Sequence, residues 1–105
     1  MNIAIVGYGE QGRSAFEYYF NQSHVVVICD QREDIEIPPG ALDKLGPDYL
    51  LNLHEFDLIV RSPSVHPQTI LDANIDHPEI IDKIFSLINS TLPVFTSNDV
   101  VSPQV

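Results

Sequence analysis

The segment Asn2-Ile-Ala-Ile-Val-Gly7-Tyr-Gly9-Glu-Gln-Gly12 decides the fold of this chain. Its apolar start predicts a strand, and its glycines have the G-x-G-x-x-G spacing of a nucleotide-binding turn between a strand and a helix. A second apolar run, from His24 to Cys29, ends on Asp30, where an acid can bind a sugar hydroxyl or a base. Together the two runs predict a nucleotide-binding α/β unit.

The composition restricts the class of protein. A chain of 105 residues, of which 44% are hydrophobic, predicts one globular domain. The net charge of −10 argues against nucleic acid as a partner, because nucleic acid selects a basic face. No apolar run approaches the roughly 20 residues that span a bilayer, and no leader segment precedes the first strand. The single cysteine, Cys29, lies in an apolar run and is interpreted as a buried hydrophobe. We therefore expect a cytoplasmic protein that binds neither nucleic acid nor membrane.

Strands and helices alternate along the chain, which predicts a doubly wound, Rossmann-like α/β fold with a parallel sheet of four or five strands. The predicted strands are Ile3–Val6, Val25–Cys29, Phe56–Val60 and Leu92–Phe95, with a short one at Tyr49–Leu51. The predicted helices are Gln11–Phe20, Pro67–Ala73 and one that begins at Pro78 and carries an apolar stripe to Ile88, with a single helical turn at Ala41–Leu45. Residues 1–95 form the predicted domain, and residues 96–105 a tail or linker.

Ligands of open α/β sheets bind beyond the carboxyl ends of the strands, at the point where the strand order reverses. With right-handed crossovers, the first, second and Phe56–Val60 strands surround that point. The crevice would gather Gly9–Gly12, Asp30–Arg32 and Ser62–Ser64. Three of the five basic residues, Arg13, Arg32 and Arg61, follow the glycine loop or a strand and are expected at the same edge.

Each of these groups has a binding role and an ordinary structural role open to it. The amides of residues 9–12 can bind a diphosphate at the helix N-terminus, although the Glu10 carboxylate must then point away. Asp30 can accept hydrogen bonds from a sugar or a base, or it can simply begin a loop. Arg32 can stack on a base, contact a phosphate or remain solvated. The turn Ser62-Pro63-Ser64 can bind a ligand or cap the next helix.

No catalytic set is visible in the sequence. The four histidines have no metal-ligand spacing with cysteines or carboxylates, and no nucleophile motif occurs. The G-x-x-x-x-G-K-[ST] loop of ATP-binding folds is also missing from the sequence. We therefore predict a binding domain that has no catalytic residue, metal site or cofactor of its own.

Four segments together resemble the N-terminal domain of the Mur ligase family, in particular its D-glutamate-adding members, the UDP-N-acetylmuramoyl-L-alanine:D-glutamate ligases. They are Ile5-Val6-Gly7-Tyr8-Gly9-Glu10-Gln11-Gly12-Arg13-Ser14, Cys29-Asp30-Gln31-Arg32, Asp57-Leu58-Ile59-Val60-Arg61-Ser62-Pro63-Ser64 and His77-Pro78. The family pattern is G-x-G-x-[ST]-G-x-S, then D-x-R, then D-x-[IV]-[IV]-x-S-P-G. Gln11 and Ser64 depart from this pattern, and Glu10 adds a negative charge to the loop.

The resemblance implies a domain that binds the UDP part of UDP-MurNAc-L-alanine during peptidoglycan synthesis. The implied UDP-binding residues are Gly9, Glu10, Gln11, Gly12, Asp30, Gln31, Arg32, Ser62, Pro63 and Ser64. The glycine-loop residues would bind the diphosphate, Asp30 with its neighbour would read the uracil, Arg32 would pack on it, and the serine turn would line the pocket. ATP, Mg²⁺ and catalysis would belong to a central ligase domain and D-glutamate to a C-terminal domain, both outside this chain.

Two other functions remain open on the sequence. An NAD(H)-binding regulatory or dehydrogenase-type module would use the same glycines and Asp30, although a full dinucleotide site usually needs a second mononucleotide-binding half. A non-binding interaction domain would explain why Glu10 occupies an anion-binding loop.

Overall fold

The sheet contains five parallel strands. The computed structural model describes residues 1–87, and all statements about the structure refer to that range. In chain order the elements are β1 (Asn2–Val6), α1 (Glu10–Phe20), β2 (Val25–Asp30), β3 (Leu42–Leu45), β4 (Leu58–Arg61), α2 (Pro67–Ala73) and β5 (Ile84–Ser86). Two 3₁₀ helices, Leu53–Glu55 and Pro78–Lys83, precede β4 and β5. The strand order is β3-β2-β1-β4-β5. The fold is therefore the doubly wound, Rossmann-like α/β fold that the sequence predicts.

Strand β1 is the centre of the sheet and is covered on both faces. Ile3 and Ile5 face α1, where they pack with Phe16 and Tyr19. Ala4 and Val6 face the other side, which α2 and the two 3₁₀ helices cover. A central parallel strand buried on both sides needs an unbroken apolar run, and this requirement explains why β1 and β2 are apolar almost throughout.

Four predicted elements agree closely with the structure. Strand β1 and helix α1 each begin one residue before their predicted start, and β2 continues one residue further, to Asp30. Helix α2 has the predicted bounds, Pro67–Ala73. The predicted Phe56–Val60 strand is shifted, because β4 begins at Leu58 and ends at Arg61.

The predicted helical turn at Ala41–Leu45 is wrong. Leu42–Leu45 is an edge strand that pairs in parallel with β2, with Leu42 beside Val27 and Leu45 beside Asp30. A segment this short cannot form enough internal hydrogen bonds to sustain an isolated helix. Pairing with the free edge of β2 satisfies its backbone groups instead.

The predicted strand at Tyr49–Leu51 is also wrong, since these residues form successive turns. The Tyr49 amide donates to the Gly46 carbonyl at 3.2 Å, and the Leu51 amide to the Asp48 carbonyl at 3.1 Å. Short local hydrogen bonds of this kind replace a sheet ladder. The turns carry the chain from the edge of the sheet back to its centre, where β4 pairs with β1.

The predicted long helix from Pro78 to Ile88 is replaced by a short 3₁₀ helix and a strand. Ile84 pairs with Ile59 of β4, and the next residue, Phe85, pairs with Val60. Ile84 packs on the α2 face and Phe85 on the α1 face, so these apolar residues have the two-residue period of a strand. The predicted strand Leu92–Phe95 and the tail 96–105 lie outside the described residues.

Within residues 1–87, no helix has the length and apolar character needed to cross a membrane.

A buried asparagine at the end of α2 connects that helix to the turns before β4. Asn74 is 5% exposed. Its Oδ1 accepts from the Leu53 amide at 3.0 Å, and its Nδ2 donates to the Leu50 carbonyl at 2.8 Å and the Ile70 carbonyl at 2.9 Å. The side chain therefore supplies backbone partners that the irregular segment cannot provide for itself.

We expect Asn74→Ala to lower the free energy of unfolding by about 2–3 kcal/mol, because it leaves buried backbone groups without partners. The measurement is urea denaturation of the two proteins. The control is Gln68→Ala, which removes an exposed hydrogen bond to Asp72 on the same helix and should change stability by less than about 0.5 kcal/mol. Equal losses in the two variants would contradict this role of Asn74.

Candidate functional site

The strand order reverses between β1 and β4, because β2 and β3 lie on one side of β1 and β4 and β5 on the other. A cleft of about 700 Å³ opens at the carboxyl ends of these strands. This is the position where open α/β sheets bind ligands. The cleft is lined by all ten residues of the predicted site, namely Gly9, Glu10, Gln11, Gly12, Asp30, Gln31, Arg32, Ser62, Pro63 and Ser64. Gly7, Tyr8, Tyr49 and Val65 complete the lining. Residues from three distant parts of the sequence therefore meet at one place, as the spacing predicts.

Two of the three loop glycines are required by the fold. Gly7 has a φ of +89°, and a Cβ there would collide with the Ser62 hydroxyl. A Cβ on Gly12 would lie 2.6 Å from the Gly7 carbonyl oxygen, which is a backbone atom that cannot easily move. These residues let the turn close and let α1 pack against the end of β1.

The third loop glycine, Gly9, has no such requirement. Among residues 1–87, no atom lies within 4 Å of a Cβ built at this position, and the Gly9 φ of −102° suits any residue. Gly9 is the N-cap of α1, and it gives the helix no side-chain hydrogen bond. The space in front of its backbone is part of the cleft, so the absence of a side chain keeps that space open.

The N-terminus of α1 points its partial positive charge at the cleft. The amides of the first helical turn have no partner within the helix, because the earliest intrahelical bond runs from Arg13 to the Gly9 carbonyl at 2.9 Å. With the helix dipole they form a position suited to an anion. Glu10 also lines the cleft, and its exposed side chain brings a carboxylate to the same helix turn.

Asp30 is the most constrained polar side chain of the cleft. It is 5% exposed. Its Oδ2 accepts from the Tyr8 amide at 2.7 Å and from Arg32 Nη2 at 2.9 Å. Its Oδ1 accepts from the Arg32 amide at 2.9 Å and from Arg32 Nε at 3.1 Å. The carboxylate thus joins the end of β2 to the glycine loop.

The Arg32 guanidinium completes this connection and remains accessible. Nη2 also donates to the Tyr8 carbonyl at 2.9 Å, while 57% of the side chain is exposed. Hydrogen bonds from the Arg32 side chain, reinforced by the Tyr8 and Arg32 amides, lower the pKa of Asp30 to about 2 against the opposing effect of burial. The same carboxylate raises the pKa of Arg32. The pair is therefore fully ionised at neutral pH.

The serine turn after β4 faces the cleft and does not cap the next helix. The Ser62 and Ser64 hydroxyls lie 2.8 Å apart. The N-cap of α2 is instead His66, whose Nδ1 accepts from the Gln68 amide at 3.1 Å. The capping alternative left open by the sequence is therefore excluded.

Only one of the three arginines expected near the ligand lines the cleft. Arg61 holds the serine turn against β5, since it donates to Ser86 Oγ at 2.7 Å and to the Val65 carbonyl at 2.9 Å. Arg13 lines a separate hollow of about 330 Å³ between α1 and the loop before β3. Arg32 is the arginine that lines the cleft.

Sequence reasoning missed two aromatic residues of the cleft, Tyr8 and Tyr49. Tyr8 is an unspecified position of the glycine motif, and the motif carries no signal for it. Tyr49 follows β3, and the wrong prediction of a helical turn at Ala41–Leu45 left the end of the strand Leu42–Leu45 unrecognised. Recognising β3 as a strand would have marked the following turn as part of the ligand-binding edge.

No protein-family model matches this chain, and no curated protein matches it significantly.

The fold requires Gly12 but not Gly9, and substitutions at these two glycines test this difference directly. We expect Gly12→Ala to lower the free energy of unfolding by about 1–3 kcal/mol, because the new Cβ overlaps a backbone oxygen. We expect Gly9→Ser to change it by less than about 0.5 kcal/mol, because serine is an equally good N-cap. Urea denaturation measures both. A Gly9→Ser variant as unstable as Gly12→Ala would show that the open space does not exist in solution.

The Asp30 carboxylate should make stability depend on pH in the acid range. Its folded pKa lies below the ordinary value of 3.8, so its contribution is present above about pH 4 and is lost as the pH falls towards 2. The shift corresponds to about 2 kcal/mol. Asp30→Asn should remove this part of the pH dependence when urea unfolding is compared at pH 7 and pH 2.5. Asp43→Asn, at an exposed position of the edge strand, is the control and should keep the pH dependence of the unchanged protein.

Proposed function

We propose that this domain binds the uridine diphosphate part of UDP-MurNAc-L-alanine and acts as the substrate-binding domain of a peptidoglycan-precursor D-glutamate ligase. Catalysis, ATP and Mg²⁺ belong in this proposal to further ligase domains. The chain itself supplies the nucleotide site and no catalytic residue.

The observation that carries the proposal is the open space at Gly9. A glycine that the fold does not require lies at the N-terminus of α1, inside a cleft of about 700 Å³. This volume is typical of small-molecule sites. Close approach of a ligand to the Gly9 backbone would explain why a glycine occupies this position. A helix N-terminus favours an anion as that ligand.

The charged side chains of the cleft contribute little net attraction for an anion, so the proposal depends on the neutral amides at the start of α1. Asp30 and Arg32 form an ion pair 2.9 Å apart and largely cancel each other. The Glu10 carboxylate remains, so the positive end of α1 must carry most of the attraction for the diphosphate. The exposed face of the Arg32 guanidinium is available for stacking on a nucleobase, next to Gln31.

The second candidate is NAD(H), and the strand order favours it in one respect. A strand order of β3-β2-β1-β4-β5 provides strands on both sides of the switch point, where a dinucleotide would lie. On the β4 side, however, the cleft is lined by Ser62, Pro63 and Ser64, and no second glycine loop follows β4. A uridine nucleotide uses this serine turn, whereas a dinucleotide has no specified need for it.

Isothermal titration calorimetry of the 105-residue chain with UDP, UDP-MurNAc-L-alanine and NADH tests the proposal. We expect binding of the two uridine nucleotides and none of NADH. Gly9→Ser should weaken UDP binding by about tenfold or more, because its hydroxymethyl group enters the ligand space and competes for the helix amides. Its melting temperature should stay unchanged.

Two results would reject the proposal. Binding of NADH without UDP would establish the dinucleotide alternative. Failure of both the unchanged chain and Glu10→Ser to bind any of the three ligands would establish a non-binding interaction domain. The variant removes a carboxylate at the anion position that has no basic partner among residues 1–87. Gln68→Ala, distant from the cleft, is the control for nonspecific effects of substitution.

A further inference from the structure

The Asp30 carboxylate has no acceptor capacity left for a ligand. An ionised carboxylate offers about four acceptor positions on its two oxygens. Here each oxygen accepts two hydrogen bonds, three from Arg32 and one from the Tyr8 amide. The side chain is also 5% exposed. A base or ribose could bind to Asp30 only by displacing one of these bonds, so this residue is poorly placed to read a nucleoside.

Tyr49 lies at the same edge of the cleft and has an unused polar group. The turn that carries it is fixed to β2, since the Gly46 amide donates to the Asp30 carbonyl at 3.0 Å and the Tyr49 amide donates to the Gly46 carbonyl at 3.2 Å. The ring is half-buried and packs on the α2 face of the sheet beside the cleft. Within residues 1–87 its hydroxyl makes no hydrogen bond.

From this arrangement we propose that the Tyr49 hydroxyl, and not the Asp30 carboxylate, is the group that hydrogen-bonds to the nucleoside end of the ligand. Asp30 is instead a positioning residue that holds Arg32 and the Tyr8 peptide in place. The inference rests on the proposed nucleotide-binding function and assigns the recognition within that site.

The chemistry of a tyrosine suits this role. The phenol is both a donor and an acceptor, so it can meet a base carbonyl or a ribose hydroxyl without a change of ionisation. Burial, with the negative charge of Asp30 nearby, raises the pKa of Tyr49, and the hydroxyl therefore keeps its proton at neutral pH. Its side chain has only two rotatable torsions and is held by packing, so little conformational entropy is lost when a ligand binds.

The test is calorimetry of the 105-residue chain with UDP, CDP and inorganic diphosphate. Tyr49→Phe should weaken UDP binding about three- to tenfold, the effect of losing one neutral hydrogen bond, and leave diphosphate binding unchanged. The matched control is Tyr18→Phe, since Tyr18 lies on α1 and does not line the cleft. It should bind all three ligands as the unchanged chain does.

The Asp30→Asn variant distinguishes a residue that positions Arg32 and the Tyr8 peptide from one that hydrogen-bonds to the base itself. A positioning role predicts that UDP and CDP weaken by the same factor, because Arg32 and the Tyr8 peptide are loosened for both. A reading role predicts a change of preference toward CDP, because an amide can donate to cytosine N3 where a carboxylate accepts from uracil N3–H. Titrations are made well below the melting temperature of each variant, and the Tyr49→Phe result does not depend on the stability of Asp30→Asn.

The outcomes distinguish this inference from the function on which it rests. UDP binding that Tyr49→Phe leaves intact, or a preference for CDP in Asp30→Asn, would overturn the inference alone. Failure of the unchanged chain to bind either UDP or inorganic diphosphate would overturn the proposed function as well.

Discussion

The hydrogen bonds of the Asp30 carboxylate are the constraint on which the cleft depends. They connect the end of β2 to the Tyr8 peptide of the glycine loop, and through Arg32 they reach the Tyr8 carbonyl as well. A loop that begins at a left-handed glycine would otherwise be free to change its direction. With the carboxylate in place, the first turn of α1 and the end of β2 are held in one geometry before any ligand arrives.

This arrangement also explains how a strongly acidic protein keeps a site suited to an anion. The net charge of −10 opposes the approach of a diphosphate, and the arginine of the cleft is already paired with Asp30. The local field must then come from the oriented peptide groups at the start of α1, which bear partial charge without adding net charge to the chain. Backbone groups of this kind are insensitive to protonation, so the attraction is expected to persist over a wide range of pH.

The sequence predicted correctly those parts of the fold that follow from hydrophobic patterns and from the general rules of α/β topology. Buried parallel strands need apolar runs, and these identify β1 and β2 within one residue of their bounds. The meeting of Asp30 with the glycine loop and the serine turn followed from the handedness of crossovers and from the common edge at which parallel strands end. Edge strand β3 could not be identified in this way, because Leu42–Leu45 is only partly buried and mixes charged with apolar residues. Its structure depends on the free edge of β2, which is a tertiary property.

The roles of individual side chains were harder to predict than their positions. The sequence indicates that Asp30 and Arg32 are neighbours of a ligand, but it does not show that each uses its polar atoms on the other. The sequence does not show that Asn74 bonds to three backbone groups, because two of them, at Leu50 and Leu53, lie in turns and a 3₁₀ helix without a recognisable pattern. Tyr49 was not recognised as part of the cleft, because the strand that precedes it, β3, was not predicted from the sequence. Hydrogen-bond capacity depends on three-dimensional neighbours, so it becomes visible only when the chain is folded.

The three glycines of the motif are subject to different selection, because the fold requires Gly7 and Gly12 but not Gly9. Selection for folding alone would preserve Gly7 and Gly12, whose side-chain space is occupied by other parts of the protein. It would allow position 9 to vary, because nothing in the described part of the chain fills the space there. Under the proposed function, descendants of this domain that lost nucleotide binding should therefore keep the outer glycines and vary at the middle one. Among related sequences, a glycine at position 9 would then be the expected mark of the proposed binding function.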